Sequence, residues 1–200
     1  MRNVLLLTAF AALFAVASCS NGETRLSASE RALINDGEGP MRVTTINDRE
    51  DSILLRTPSV PIPVEEVKSE EIRTLLARML ATVTSPEQDG VGIAAPQVGI
   101  NRRITLVMRY DKPGQPFEPF VNMQIDSLYG TVNLGPEGCL SVPGLRGDVP
   151  RWSDVIVSWT DTASLERRRE HITGYTAIIC QHEHDHLDGI LYIDKAENLR

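Results

Sequence analysis

The segment Gln181-His182-Glu183-His184-Asp185-His186 constrains this chain more than any other. It falls within Thr173 to Leu187, which reads as a helix ending at Asp188-Gly189, where Gly189 suits a left-handed C-terminal cap. On that helix His182 and His186, four apart, share one face and can grip one metal ion. Glu183 is about 100° round the helix from His182, close enough to reach a water on the ion without being a ligand. A divalent ion lowers the pKa of such a water from about 16 to about 7. A neighbouring carboxylate can accept that proton and pass it to a leaving amine. The bland alternative is a charged, exposed helix turn. His184 falls on another face and is expected to meet solvent. Asp185 has two readings, a partner that orients a histidine or a surface charge.

Two histidines leave a catalytic metal short of a third protein ligand. Glu137-Gly138-Cys139-Leu140-Ser141 offers one. As a thiolate, Cys139 would complete a Cys-His-His set with one open position; an inert buried cysteine is the alternative. A third motif is Gly90-Val91-Gly92-Ile93-Ala94-Ala95-Pro96-Gln97, whose small residues let backbone approach a substrate closely. It lacks the glycine spacing and strand-helix context of a dinucleotide fingerprint. It also lacks the Gly-Lys-Ser/Thr of a phosphate loop.

The chain has three cysteines, an odd count that excludes a closed disulfide framework. Cys180 lies about 200° round the helix from His182 and should point away from the metal into the core. A net charge of -7 argues against a general nucleic-acid binder. Hydrophobic residues make up 42% of the 200-residue chain, enough for one packed domain with a tail.

That tail is N-terminal. Residues 1–18 carry Arg2 and an apolar run too short for a comfortable transmembrane helix, as in a secretory signal. The run ends Val16-Ala17-Ser18-Cys19, which resembles the lipobox of bacterial lipoproteins. That resemblance implies cleavage before Cys19 and lipidation of its sulfur, with several acyl chains giving stable membrane anchoring. An ordinary signal peptide is the alternative. The expected organisation is a signal peptide over 1–18, a polar lipid-anchored tether over 19–45, and a catalytic domain over 46–200.

Within the domain, Ile72, Leu75, Leu76, Met79, Leu80 and Val83 recur at helical spacing and predict a helix over Ser69–Thr84, with Ser69 as N-cap. Strands are expected over 104–110, 120–128, 154–160 and 167–173, the last as a solvated edge carrying Arg167-Arg168-Arg169. A short final strand is expected over 191–193. Helix, several strands, helix and strand suggest an α+β fold with an antiparallel or mixed sheet.

GVGIAAPQ, EGCLS and QHEHDH, in that order, resemble the three signature motifs of peptide deformylases over roughly residues 45–195. The resemblance implies an α+β deformylase-like fold around a central helix bearing the HExxH motif. It implies hydrolysis of the N-formyl group from formyl-methionyl peptides, with release of formate. By the same resemblance Cys139, His182 and His186 would bind one divalent metal, with Fe²⁺ expected and Zn²⁺, Ni²⁺ or Co²⁺ as alternatives. Glu183 would be the general acid/base, and the Gln97 amide with the Leu140 backbone N–H would stabilise the oxyanion. Backbone groups of Gly92 and Gly138 would pair with the substrate. Val91, Tyr175, Ile178 and Ile179 would line a pocket for the methionine side chain. Glu137 and Arg151 would form a supporting ion pair.

Two departures stand out. Family members usually carry Asn-Pro before the cysteine motif, where this chain has Asn122-Met123. Deformylases also act on nascent chains in the cytosol, whereas the lipobox implies an extracytoplasmic, membrane-anchored enzyme acting on exported or environmental formyl-peptides. An oxidising compartment threatens both Fe²⁺ and a thiolate ligand, which favours Zn²⁺ as the resident ion there. No nucleic acid or protein partner is implied. A zinc endopeptidase and a non-catalytic metal- or peptide-binding lipoprotein are the competing readings. The cysteine ligand argues against the first and Glu183 against the second.

Overall fold

The computed structural model describes residues 25–200. The signal segment and Cys19 lie outside the described residues. The first helix, α1 (Ala28–Asn35), opens on a reciprocal cap. Ser27 Oγ accepts from the Glu30 N–H at 3.1 Å, and the Glu30 carboxylate accepts from the Ser27 N–H at 2.7 Å. α2 (Arg49–Leu55) starts on Asp48, whose carboxylate accepts from the N–H groups of Glu50 and Asp51. α3 (Glu70–Val83) starts on Ser69, as expected. Its apolar stripe is buried at Ile72, Leu75, Met79 and Val83, while Leu80 stays exposed at the edge.

The tether expected over 19–45 is not a tether from Leu26 onward. Leu26, Ile34 and Met41 are buried in one cluster with Ile72, Leu75 and Met79. The reason lies in distant arginines. Arg78 of α3 donates to the carbonyls of Leu33, Ile34 and Gly39, satisfying the C-terminal end of α1 and the turn after it. Arg102 forms a bidentate pair with Glu30 at 2.7 Å. A short polar helix of this kind is marginal alone and is held by its tertiary partners.

Five antiparallel strands form one sheet in chain order: β1 (Gly92–Ala94), β2 (Ile104–Met108), β3 (Phe117–Cys139), β4 (Val142–Thr160) and β5 (Arg167–Thr173). Of the two sheet types expected, antiparallel and mixed, the sheet is the antiparallel one; the parallel bridge between Val60 and Arg102 lies outside its strands. β3 and β4 run far beyond the expected 120–128 and 154–160. They pair from Val121↔Thr160 to Cys139↔Val142 with register shifts along the way. Glycines and prolines such as Gly130, Pro136, Gly138, Pro143 and Pro150 break the apolar alternation that signals a strand. Cross-strand pairing and bulges accommodate them. β5 is the edge strand expected, and its arginines are paired rather than merely solvated: Arg169 with Asp126 and Arg168 with Asp161.

β5 passes directly into α4 (Gly174–Leu187) through Gly174, whose φ is +64°. α4 packs on β4, β2 and β1, and Ala177, Ile179, Cys180 and Leu187 form a core with Phe120, Met123 and Val157. Gly189 ends the helix at φ +73°, and a Cβ there would lie 2.5 Å from the Arg56 carbonyl, so both conformation and packing require glycine. The expected strand over 191–193 is a 3-10 turn, Tyr192–Asp194, closed by the Leu191 N–H on the Asp194 carboxylate at 2.9 Å. Asn122 has φ +56° and bonds both the N–H and the carbonyl of Ile62. The departure from Asn-Pro thus marks a bulge away from the cleft.

Candidate metal centre

The turn between β3 and β4 brings Cys139 against α4. One ligand atom each from Cys139, His182 and His186 lie within 4.8 Å of one another, and Cys139 Sγ is 3.2 Å from His186 Nε2. Among the described residues this is the one group of three or more such side chains placed to hold an ion.

The surroundings decide which atoms are free to bind. His182 Nδ1 is 2.8 Å from Glu137 Oε2, which leaves Nε2 for the cluster. Glu137 is clamped by Arg151, whose Nε and Nη2 donate to its two oxygens at 2.7 and 3.0 Å. Arg151 Nη1 donates to Asp185 at 2.5 Å, and Lys195 donates to the other Asp185 oxygen at 2.6 Å. Asp185 is therefore neither a surface charge nor a direct partner of a histidine; it acts on His182 through Arg151 and Glu137. His184 is not solvent-facing: its side chain is 15% exposed, between Asp188 and an Arg103 nitrogen at 3.3 Å. Burial pushes its pKa down.

The electrostatics favour a cation. Burial alone would raise the Glu137 pKa, but His182 and Arg151 bring it down to about 2. Burial opposes charge on His182, yet the Cys139 sulfur and the Glu137 and Glu183 carboxylates hold its pKa well above the usual imidazole value. The same sulfur and carboxylates that surround His182 would also favour a metal cation. Burial keeps His186 well below its usual value, so its ring is neutral, the form that ligates. Glu183 Oε2 and His186 Nδ1 are buried without hydrogen-bond partners. Sulfur, two imidazoles and an unsatisfied carboxylate oxygen beside them fit a thiolate-ligated divalent ion and its water.

Glu183 is pushed up to about 7, mainly by burial, the range suited to moving protons at neutral pH. Its Oε1 lies against β1: a Cβ on Gly92 would sit 2.4 Å from that oxygen. Gln97, in the 3-10 turn after β1, is oriented by its own Oε1, which accepts from the Ala94 N–H at 2.9 Å. Its Nε2 consequently faces Cys139 Sγ at 3.4 Å and Ser141 Oγ at 3.3 Å.

The cluster opens into a cleft of about 780 Å³ lined by Val91, Gly92, Gln97, Gly138, Leu140, Tyr175, Ile178 and Ile179, with Cys139, His182 and Glu183 at its floor. Every substrate-side residue expected from the sequence therefore reaches one cavity. Tyr175 is 52% exposed at the mouth and meets Tyr110 edge-on at 5.0 Å. Cys180 is buried in the core, with burial raising its pKa.

Several positioning residues carry no sequence signal. The Thr44 N–H and hydroxyl bond the carbonyls of Gln97 and Pro96, and the Ile46 N–H bonds the Ser141 carbonyl. This segment thus ties the two small-residue loops together. Tyr192 stacks on His182 with ring centroids 6.1 Å apart, and its hydroxyl donates to the Leu145 carbonyl at 2.8 Å. Only a pattern of partners across the fold reveals these roles.

The family model for polypeptide deformylase matches residues 40–200. The peptide deformylase of Leptospira biflexa is 36% identical over 154 residues, covering 74% of this chain and 84% of that protein. The crystal structure of a class I type b peptide deformylase from Acinetobacter baumannii with Met-Ala-Ser bound superposes with a TM-score of 0.70 at 33% identity, over 80% of this chain and 99% of that one. The Thermotoga maritima peptide deformylase gives 0.69 at 30% identity, with coverage of 80% and 99%.

Proposed function

The chain belongs to the peptide deformylase family, and from that premise we propose that its Cys139–His182–His186 cluster and Glu183 remove the formyl group from formyl-methionyl peptides outside the cytoplasm. The observation that carries this reading is the unsatisfied Glu183 oxygen buried beside the Cys139 sulfur and two imidazoles at the floor of the cleft.

Cys139, His182 and His186 would hold the metal. When bound, the ion supplies Lewis acidity and a lowered pKa for water. Glu183 takes the proton of the attacking water and returns it to the departing amine nitrogen. Gln97 Nε2 and the Leu140 N–H donate to the oxygen that gains charge; one such donor is worth about 10² to 10³ in rate. Backbone groups of Gly92 and Gly138 align the peptide. Val91, Tyr175, Ile178 and Ile179 enclose the methionine side chain. Glu137, braced by Arg151, holds the His182 tautomer. The ion is Fe²⁺ by family, with Zn²⁺ favoured where the surroundings oxidise.

The proposed location rests on the lipobox-like Val16-Ala17-Ser18-Cys19. Among the described residues burial begins at Leu26, seven positions after Cys19, and seven residues reach at most about 25 Å. A lipid on Cys19 would therefore keep the enzyme close to a bilayer. Stripping metal with a chelator should abolish formate release from formyl-Met-Ala-Ser, and adding Fe²⁺ or Co²⁺ back without oxygen should restore it. Turnover that survives complete metal removal would sink the mechanism. In the native host, Cys19→Ser should move the protein from the membrane fraction to the soluble one; unchanged fractionation would refute the anchor.

A further inference from the structure

The cleft has a rim that neither the three motifs nor the metal centre explains. Residues at the C-terminal end add to the edge of β4. Arg146 and Arg200 exchange both backbone hydrogen bonds at 2.9 Å, and Asp148 and Glu197 do the same at 2.9 and 2.7 Å. Gly147 makes this possible, because a Cβ there would lie 2.7 Å from Ala196 Cβ and 2.9 Å from Leu199 Cδ2. The same lip is latched from beneath by the Tyr192 hydroxyl on the Leu145 carbonyl at 2.8 Å. The result is that Arg146 and Arg200, far apart in sequence, both line the cleft that holds Cys139, His182 and Glu183.

Their charges are not equivalent. Arg200 is pinned by Asp148 at 3.2 to 3.3 Å. No carboxylate pairs with the exposed Arg146 guanidinium among the described residues. That guanidinium lies against the Gly138 backbone, 3.2 Å from where a Cβ would project. Asp89, from the segment before β1, also lines the cleft, as do the carboxylates of Glu137 and Glu183. In a chain of net charge -7 an anionic peptide is repelled overall, so the Arg146 guanidinium, next to the Asp148-paired Arg200, stands out as selective. Guanidinium matches a carboxylate in shape as well as charge.

Resting on the deformylase reading, we infer that Arg146 and Arg200 form a carboxylate-binding rim that selects formyl-peptides carrying an anionic group at the third residue. Two sources share this chemistry, the terminal carboxylate of a formyl-tripeptide and an acidic side chain in a longer peptide. Gly138 aligns the backbone, the methionine fills the apolar pocket, and the peptide beyond it reaches Arg146. Arg200, its charge offset by Asp148, adds guanidinium hydrogen-bond donors beside Arg146.

The test uses metal-loaded full protein with formyl-Met-Ala-Ser as the free acid, the same peptide as its C-terminal amide, and formyl-Met-Ala-Asp amide. The expected result is a kcat/KM about fivefold higher for an anionic peptide than for the neutral amide, carried by KM and shrinking as salt rises. Preference for the free acid alone assigns the terminal carboxylate, and preference for both assigns either source. The Arg146→Gln and Arg200→Gln double variant should bring the ratio to about one, and Arg146→Lys should recover part of it. Equal kcat/KM for all three peptides on the wild type overturns the inference and leaves the deformylase reading intact. Equilibrium binding of the same peptides separates the two ideas further. Carboxylate-dependent binding without formate release supports the rim and overturns the deformylase reading, and binding with no such dependence overturns the rim.

Discussion

Arg109 is completely buried and Arg151 is 3% exposed, and each guanidinium gathers more than one carboxylate. Arg109 binds Asp111, Glu118 and Glu170 and lies 5.9 Å above the Phe120 ring. Its carboxylates lead outward to Lys112 and solvent. The cluster ties the end of β2 to β3 and β5, and the Asp111 N–H reaches Thr176 at the start of α4. Arg151 binds Glu137 and Asp185, and Glu137 passes the connection on to His182 Nδ1. The two regions use the same chemistry for different ends. What separates them is the next atom: an outward path makes a brace, and an imidazole makes a positioning device. Burial of an ion pair alone is weak grounds for either role.

Breaking the brace should have the larger effect on stability. Arg109→Met leaves three carboxylates facing one another and should destabilise the fold by about 3 kcal/mol, seen as a fall of about 6 to 12 °C in Tm. At a temperature where the variant is folded, formate release per folded molecule should be near wild type. A large loss of turnover in fully folded protein would make the Arg109 cluster part of the site and erase the contrast.

Breaking the positioning device should do the reverse. Glu137→Gln removes the charge that orients His182 and should weaken metal affinity by about 10- to 100-fold, measured by competition with a chromogenic chelator. Its effect on Tm should be smaller than that of Arg109→Met when both are compared without metal. Unaltered metal affinity would show that His182 needs no partner.

Acid sharpens the contrast with the smallest effect. The hydrogen bond from Arg109 holds the Asp111 carboxyl down to about 2 against the opposing effect of burial. A folded-state value below the unfolded one contributes stability that is full above about pH 4. That stability is lost as the pH falls through about 2. Denaturant midpoints should therefore drop less steeply between about pH 4 and pH 2 in Asp111→Asn than in the wild type. Parallel curves would mean that Asp111 does not contribute.

The comparison also explains what could be read from the chain before folding. α3, β5 and α4 carry their own periodicity, caps and glycine stop, so local pattern suffices. Cys139, His182, Glu183 and His186 were legible because their chemistry sits in short motifs at set spacing. α1 was not, because Arg78 and Arg102 hold its short polar sequence from distant elements. The lengths of β3 and β4 were hidden by glycines and prolines that pairing tolerates. Thr44, Ile46 and Tyr192 serve the site through single hydrogen bonds or a stacked ring to remote loops, and no residue type announces such a contact. Asp185 was visible, but its role needed the Arg151 bridge.

The most direct test of the central claim is formate release by wild type and Glu183→Gln, each carrying the same measured metal content, on formyl-Met-Ala-Ser. The account predicts robust release by the wild type and a loss of about 10² to 10⁴-fold in the variant, with metal still bound. Equal rates at equal metal occupancy would contradict it.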